Sequence, residues 1–120
     1  MKLILVQSDF VMKIASFFSG SNIIGMQIAF WLFVDDIEKW KKRPLSLNHE
    51  YIHFEQGKEL WFLGFWLLYV LNYLINLFRY KFDNHEAYIM IAFEREAYEN
   101  QRNFSYVSKR KKYNWIKWLF

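Results

Sequence analysis

The sequence predicts an α+β fold: a small N-terminal β-sheet packed on a helix with an H-E-x-x-H pattern, then a long hydrophobic helix and a glutamate-bearing helix. Three observations predict it. Short β-branched and aromatic runs fill the stretch from Met1 to Val34, the signature of strands. His49 and His53 lie four residues apart, one turn of a helix. Leu60 to Phe78 is apolar and aromatic without a formal charge, a length and pattern that favour helix over strand. At 120 residues the chain suits a single domain, 1–120, with room for a modest core. Within it, residues 1–45 supply the strands, 46–80 the H-E-x-x-H and hydrophobic helices, 83–104 the glutamate helix, and 105–120 a basic aromatic tail.

Composition narrows the function classes. Hydrophobic residues make up 54% and aromatics 22% of the chain, too apolar for disorder. No cysteine is present, so disulfides and thiolate metal sites are excluded. The net charge is +4, with positive charge concentrated at Lys39 to Arg43 and Lys109 to Lys112. Such clusters suit an anionic membrane surface, a phosphate backbone or plain solvent. Nucleic-acid binding is the weaker reading, because no glycine-rich phosphate loop or recognised binding motif accompanies them. Met1 to Gly20 is interrupted by Gln7, Ser8, Asp9 and Lys13 and has no cleavage pattern, so no signal peptide is expected. A cytoplasmic protein, or one peripheral at the membrane, is the corresponding expectation.

In order, Met1 to Gln7 reads as a strand and Phe10 to Phe18 as a short helix with Phe10, Val11, Ile14 and Phe18 on one face, capped by Asp9. A turn at Ser19 to Asn22 leads to Ile23 to Val34, a strand or strand pair. Asp35-Asp36 ends it. Pro44 marks a boundary, and Ser46 is placed to cap the helix whose first two turns hold the histidines. Within Leu60 to Phe78, Tyr69, Asn72, Tyr73 and Asn76, continued by Tyr80, form one polar stripe that should face protein or an aqueous interface. Asp83 and Glu86 have capping-box spacing and open a helix running through Asn100. Tyr113, Trp115, Trp118 and Phe120 give the tail an amphipathic end suited to a membrane interface or to docking on the domain.

The chemistry concentrates at Asn48 to Gln56. Two neutral imidazoles one turn apart can bind one Zn2+ while Glu50, about 100° around the axis, stays free to move a proton. With three histidines in the chain, the pattern arises by chance in about one such sequence in two hundred. Gln56 shares the histidine face. A catalytic zinc commonly takes a third protein ligand, and His85, Glu86, Glu94, Glu96 and Glu99 are the candidates. Glu94 sits in an apolar stripe with Ala87, Met90, Ile91, Ala97 and Tyr98, where an uncompensated carboxylate is costly. Small Ala97 lets two helices approach, which favours Glu94, with Glu96 the alternative. His85 reads as a surface residue at a helix start and Glu99 as solvated.

H-E-x-x-H-x-x-Q at His49 to Gln56 together with E-x-E-A-Y at Glu94 to Tyr98 resembles small bacterial gluzincin-type zinc metallopeptidase-like proteins. It looks most like single-domain members with an NHE-x-IH helix, a hydrophobic segment, a FEREAY helix and a basic aromatic tail. The resemblance implies His49, His53 and Glu94 as zinc ligands and Glu50 as general base. Many gluzincins carry Asp four residues after the ligand glutamate; Tyr98 stands here, suited to bonding a ligand or steadying an oxyanion. The expectation is a zinc metallohydrolase acting on peptide or protein, with Ile23 to Val34 as an edge strand for an extended substrate. The rival is a non-catalytic, membrane-associated metal-binding or interaction module. A single crossing of a bilayer by Leu60 to Phe78 would put the histidines and Glu94 on opposite sides, so this helix should be buried or interfacial.

Overall fold

In the computed structural model, which describes residues 3–19, 25–28 and 31–119, the N-terminal runs do pair as a sheet. β1 (Ile4–Gln7) lies parallel to β3 (Trp31–Val34), with Ile4 opposite Trp31 and Gln7 opposite Val34. β2 (Gly25–Ile28) runs antiparallel to β3, Gly25 opposite Val34. The strand order is therefore β1-β3-β2. The Ile23 to Val34 stretch is a strand pair, and its second half is the central strand. Trp31–Val34 has both edges occupied and has no free edge for a peptide; of the Ile23 to Val34 stretch the described edge strand is Gly25–Ile28, and β1 is the edge on the opposite side.

Between β1 and β2 runs α1 (Asp9–Ser19). Its cap is Ser8, whose Oγ accepts from Val11 N at 3.3 Å, rather than Asp9. The helix buries Met12, while Phe10 and Ile14, expected on the core face, are exposed. The turn expected at Ser19 to Asn22 falls, beyond Ser19, outside the described residues. After β3, Asp36 Oδ1 accepts from Glu38 N and Lys39 N and starts a short helix, α2 (Ile37–Lys41), that the basic composition had hidden. Trp40 turns inward and donates its indole N–H to Asp35 Oδ1 at 3.1 Å. Lys39, Lys41 and Lys42 stay in solvent.

The central element is α3 (Pro44–Glu59). It starts at the proline, not at a Ser46 cap, because Pro suits the first helical position where its missing N–H costs nothing. One side of α3 meets the sheet: Phe54 joins Leu3, Leu32, Val34 and Trp40 in a core flanked by Leu47, Tyr51 and Phe62. Its other side carries Asn48, His49, His53 and Gln56, all buried. Burying polar side chains without partners costs about 1–3 kcal/mol each, so the facing elements must satisfy them.

They do so after a sharp turn. Leu60 N and Phe62 N both donate to Gly57 O, at 3.1 and 2.8 Å, and Trp61 and Phe62 take left-handed backbone angles, φ 58° and 57°. The chain bends by 110° into α4 (Leu63–Arg79). No single helix among the described residues is long and apolar enough to cross a membrane, and α3 with α4 matches such a span only across that bend. The polar stripe of α4 faces protein: Asn76, 1% exposed, donates to Ala87 O at 3.1 Å, and Asn72 Oδ1 accepts from Ala92 N at 2.9 Å.

Asn72 also explains a departure from the expected continuous helix at residues 83–100. The chain forms α5 (Asn84–Ile89), capped by Asp83 Oδ1 on Glu86 N at 3.1 Å, and then α6 (Ala92–Asn100). Ile91 is extended at the break, and Asn72 caps α6 from a different helix. The C-terminal segment folds back as α7 (Tyr106–Lys109) and a 3-10 turn (Asn114–Trp118), burying Trp115 against Phe65, Ile91 and Phe93.

Gly57 makes the α3–α4 turn possible. A Cβ there would sit 2.8 Å from Phe62 Cδ1, whose ring stacks on Phe54. Gly57→Ala should therefore lower stability by about 1–3 kcal/mol through overpacking, although alanine is the better helix former by about 1 kcal/mol. The urea midpoint reads it; an unchanged or raised midpoint would show that the Phe62 contact does not constrain the turn.

Candidate metal centre

α3 holds His49 and His53 one turn apart, with ring centroids 4.7 Å apart and planes at 78°. α6 brings Glu94 between them. Glu94 Oε1 lies 3.0 Å from His49 Nε2 and 2.9 Å from His53 Nε2, and the two Nε2 atoms are 3.1 Å apart. Three donor atoms thus form a near-equilateral triangle, each residue buried. Among the described residues this is the one group of His, Asp and Glu so disposed.

The protonation pattern follows from the partners behind each ring. Gln56 Nε2 donates to Phe93 O at 3.0 Å and Glu96 Oε1 at 2.8 Å, which fixes its amide and turns its oxygen to His53 Nδ1 at 2.8 Å. His53 must then carry its proton on Nδ1. Gln101 Oε1 meets His49 Nδ1 at 2.9 Å and selects the same tautomer. Asn48 holds that segment, donating to Gln101 O at 2.7 Å and Asn103 O at 3.1 Å. In the neutral rings both Nε2 lone pairs consequently point at the Glu94 carboxylate. Three converging lone pairs require a cation, either a proton or a metal ion. A tetrahedral Zn2+ at its usual bond lengths separates ligand atoms by about 3.3 Å, so an opening of a few tenths of an ångström would admit it.

Glu94 is oriented as carefully as the histidines. Its Oε2 accepts from Tyr69 OH at 2.6 Å, and the Tyr88 phenol lies within range of the carboxylate's charge. Burial and the Glu94 charge push both phenols well above their ordinary pKa, so they remain donors. For Glu94, burial favours the neutral acid, but His53 and His49 override it and hold the carboxyl well below its usual range. Burial alone would lower the His53 pKa; the adjacent Glu94 carboxylate instead raises it to about 9.

Glu50 follows His49 on α3. It is partly buried, and its side chain has no hydrogen bond to another described residue. Desolvation raises its pKa against the opposing pull of His53 and His49, leaving a carboxyl beside the triangle whose oxygens are uncommitted among those residues.

The other sequence candidates separate clearly. Glu96 is fully buried but faces away from the triangle: Arg110 Nε reaches its Oε2 at 2.9 Å and Arg110 NH2 its Oε1 at 3.0 Å, and Tyr106 OH adds a bond of 2.6 Å. It cannot be the third ligand while holding this clamp. His85 is exposed on α5, and Glu99 accepts from the Trp118 indole at 2.8 Å. Glu86 lies in the first turn of α5. Tyr98 packs edge-on against the His49 ring, centroids 4.5 Å apart.

Several contributors escaped the sequence reading. Tyr69 was visible only as part of a polar stripe, and Tyr88 and Gln101 carried no local signal. Arg110 was hidden in the basic run 109–112; it also bonds Glu59 Oε1 at 3.0 Å, with Tyr113 N on the other oxygen. No protein-family model, curated protein or solved structure matches the chain. The reading of the site therefore rests on its own geometry.

Two outcomes follow. In chelator, His53 contributes stability that is fully present below pH 6.5 and is lost as the pH rises through about 9, at most about 3 kcal/mol. The midpoint of thermal unfolding should fall by on the order of 10 °C across that window. On the acid side, the Glu94 contribution is present above pH 4.5 and fades as the pH drops through its lowered pKa. A flat midpoint between pH 6.5 and 9 would deny the imidazolium–carboxylate pair. Arg110→Ala should cost about 3–5 kcal/mol by stranding the Glu96 carboxylate, whereas Lys111→Ala, in solvent, should change stability by no more than about 0.5 kcal/mol. Chemical denaturation of the two variants compares them directly.

Proposed function

We propose that the chain is a zinc-dependent metallohydrolase with peptide bonds as its substrate class, built as a minimal zincin-like domain. The observation that carries this reading is the convergence of His49 Nε2, His53 Nε2 and Glu94 Oε1 at 2.9–3.1 Å, with Glu50 beside them and without a partner among the described residues. His49, His53 and Glu94 would hold the ion. Bound Zn2+ lowers the pKa of a water towards ~7 and polarises a carbonyl. Glu50 accepts the proton of the attacking water and passes it to the departing amine. Its desolvated setting makes it a better base than an exposed carboxylate. Tyr69 holds Glu94, while Gln56 and Gln101 hold the rings; such supporting bonds are typically worth 10–100-fold in metal affinity.

The gluzincin resemblance at His49, Glu50, His53 and Glu94 points the same way. Tyr98, standing where many gluzincins have Asp, sits against the His49 ring and is half-exposed, at a position to meet a bound carbonyl. Gly25–Ile28, one of the two edge strands, would pair with an extended substrate.

Two imidazoles and a carboxylate also suit ferrous iron; Glu50, adjacent to the first ligand, is the feature that favours hydrolysis. Metal analysis beside peptide-library cleavage tests the proposal. Wild type should carry about one zinc per chain, lost in His49→Ala and Glu94→Ala and kept in Glu50→Gln. Glu50→Gln should cut turnover by roughly 10²–10⁴-fold. Full activity in Glu50→Gln, or stoichiometric iron in place of zinc, would sink it.

A further inference from the structure

α4 turns its polar side chains inward. Tyr69 reaches Glu94, Asn72 caps α6, and Asn76 bonds Ala87 O. What remains outside is apolar without exception: every exposed residue of α4 before Arg79 is Leu, Val, Ile or Phe. Leu63 (71% exposed), Leu67 (64%), Val70, Leu71, Leu74 and Phe78 (74%) form one continuous stripe at helical spacing. Exposed apolar stripes of this kind mark an interaction surface.

The ends of the helix identify the partner. Trp61, 89% exposed, and Phe82 project beside the two ends of α4 from left-handed backbone, φ 58° and 64°, a conformation few bulky residues adopt. Exposed Arg79 and Lys81 follow the apolar stripe directly. Aromatic residues at both ends and basic residues just past the last apolar turn match a bilayer interface. A protein partner would instead expect polar side chains within the patch, since even interface cores are only about 65% apolar. At 17 residues α4 is about 25 Å long, shorter than the roughly 30 Å hydrocarbon core, and its inner side is already occupied by protein. It must lie in the membrane plane.

We propose that the outer face of α4 docks on an anionic bilayer surface. The Leu63 to Phe78 stripe enters the acyl boundary, Trp61 and Phe82 sit at headgroup level, and Arg79 and Lys81 meet lipid phosphates. The surface is independent of metal binding and hydrolysis, so either reading can fail without the other.

Flotation of the full chain with vesicles of phosphatidylcholine and phosphatidylglycerol tests it. Wild type should float with them. Leu67→Glu/Leu74→Glu, both at exposed positions, should weaken partition at least ~tenfold, with an unchanged circular dichroism spectrum as the folding control. Arg79→Gln and Lys81→Gln should each weaken it roughly fivefold and have no such effect on pure phosphatidylcholine. Quenching by brominated lipid should drop in Trp61→Phe. Equal flotation of wild type and the double glutamate variant would overturn the proposal. So would a wild-type dimer in solution that ignores vesicles and that the same variant makes monomeric, which would assign the face to a second copy of the chain.

Discussion

One buried anion sets the conditions for the rest of the molecule. Glu94 sits with its neighbours inside an interior made mostly of Phe, Trp and Ile, where an isolated carboxylate would not stay ionised. It stays ionised because His49 and His53 face one oxygen and Tyr69 the other. Each of those partners belongs to a helix with its own reason to be there: α3 is fixed on the sheet through Phe54, and α4 is fixed by Asn72 and Asn76. The carboxylate acts as a common target that α3 and α4 satisfy together. That is also why the site needs little sequence to specify it. A 16-residue helix and a nine-residue helix supply the three converging atoms.

The second buried carboxylate, Glu96, has a different solution two residues along the same helix. A guanidinium meets it in a bidentate pair, and Tyr106 and Gln56 complete its oxygens. Two acids on one helix thus have opposite characters. Glu94 is left facing two titratable imidazoles, whereas Glu96 is closed by a permanent cation. The difference lies in the partner, not in burial, since both are nearly inaccessible.

Local patterns were legible in the sequence, and cross-helix ones were not. The i, i+4 histidines and the apolar stripe around Glu94 are properties of single helices, and Ala97 marks a close approach without long-range knowledge. The polar stripe of α4 could be read, including its preference for protein, but not its targets. The break between α5 and α6 left no mark because its cap, Asn72, comes from twenty residues upstream. Arg110 looked like one of four similar basic residues. Only the fold-back of the C-terminal segment distinguishes it, and that depends on Trp115 finding Phe93. The N-terminal sheet shows the limit in another form: strand propensity identified the runs, while the order β1-β3-β2 put the most apolar strand in the middle.

Gln56 joins the two acidic systems, touching His53 with its oxygen and Glu96 with its nitrogen. This gives the chain a temporal order. In N-to-C synthesis His49, His53 and Glu94 are made before Tyr106 and Arg110, the residues that lock Glu96. Until Tyr106 and Arg110 arrive, the Gln56 nitrogen has Phe93 O as a partner but no clamped carboxylate, so one of the two bonds that orient its amide is unsupported. Tyr106 and Arg110 thus steady the His53 ring at second hand, through an amide that neither of them touches.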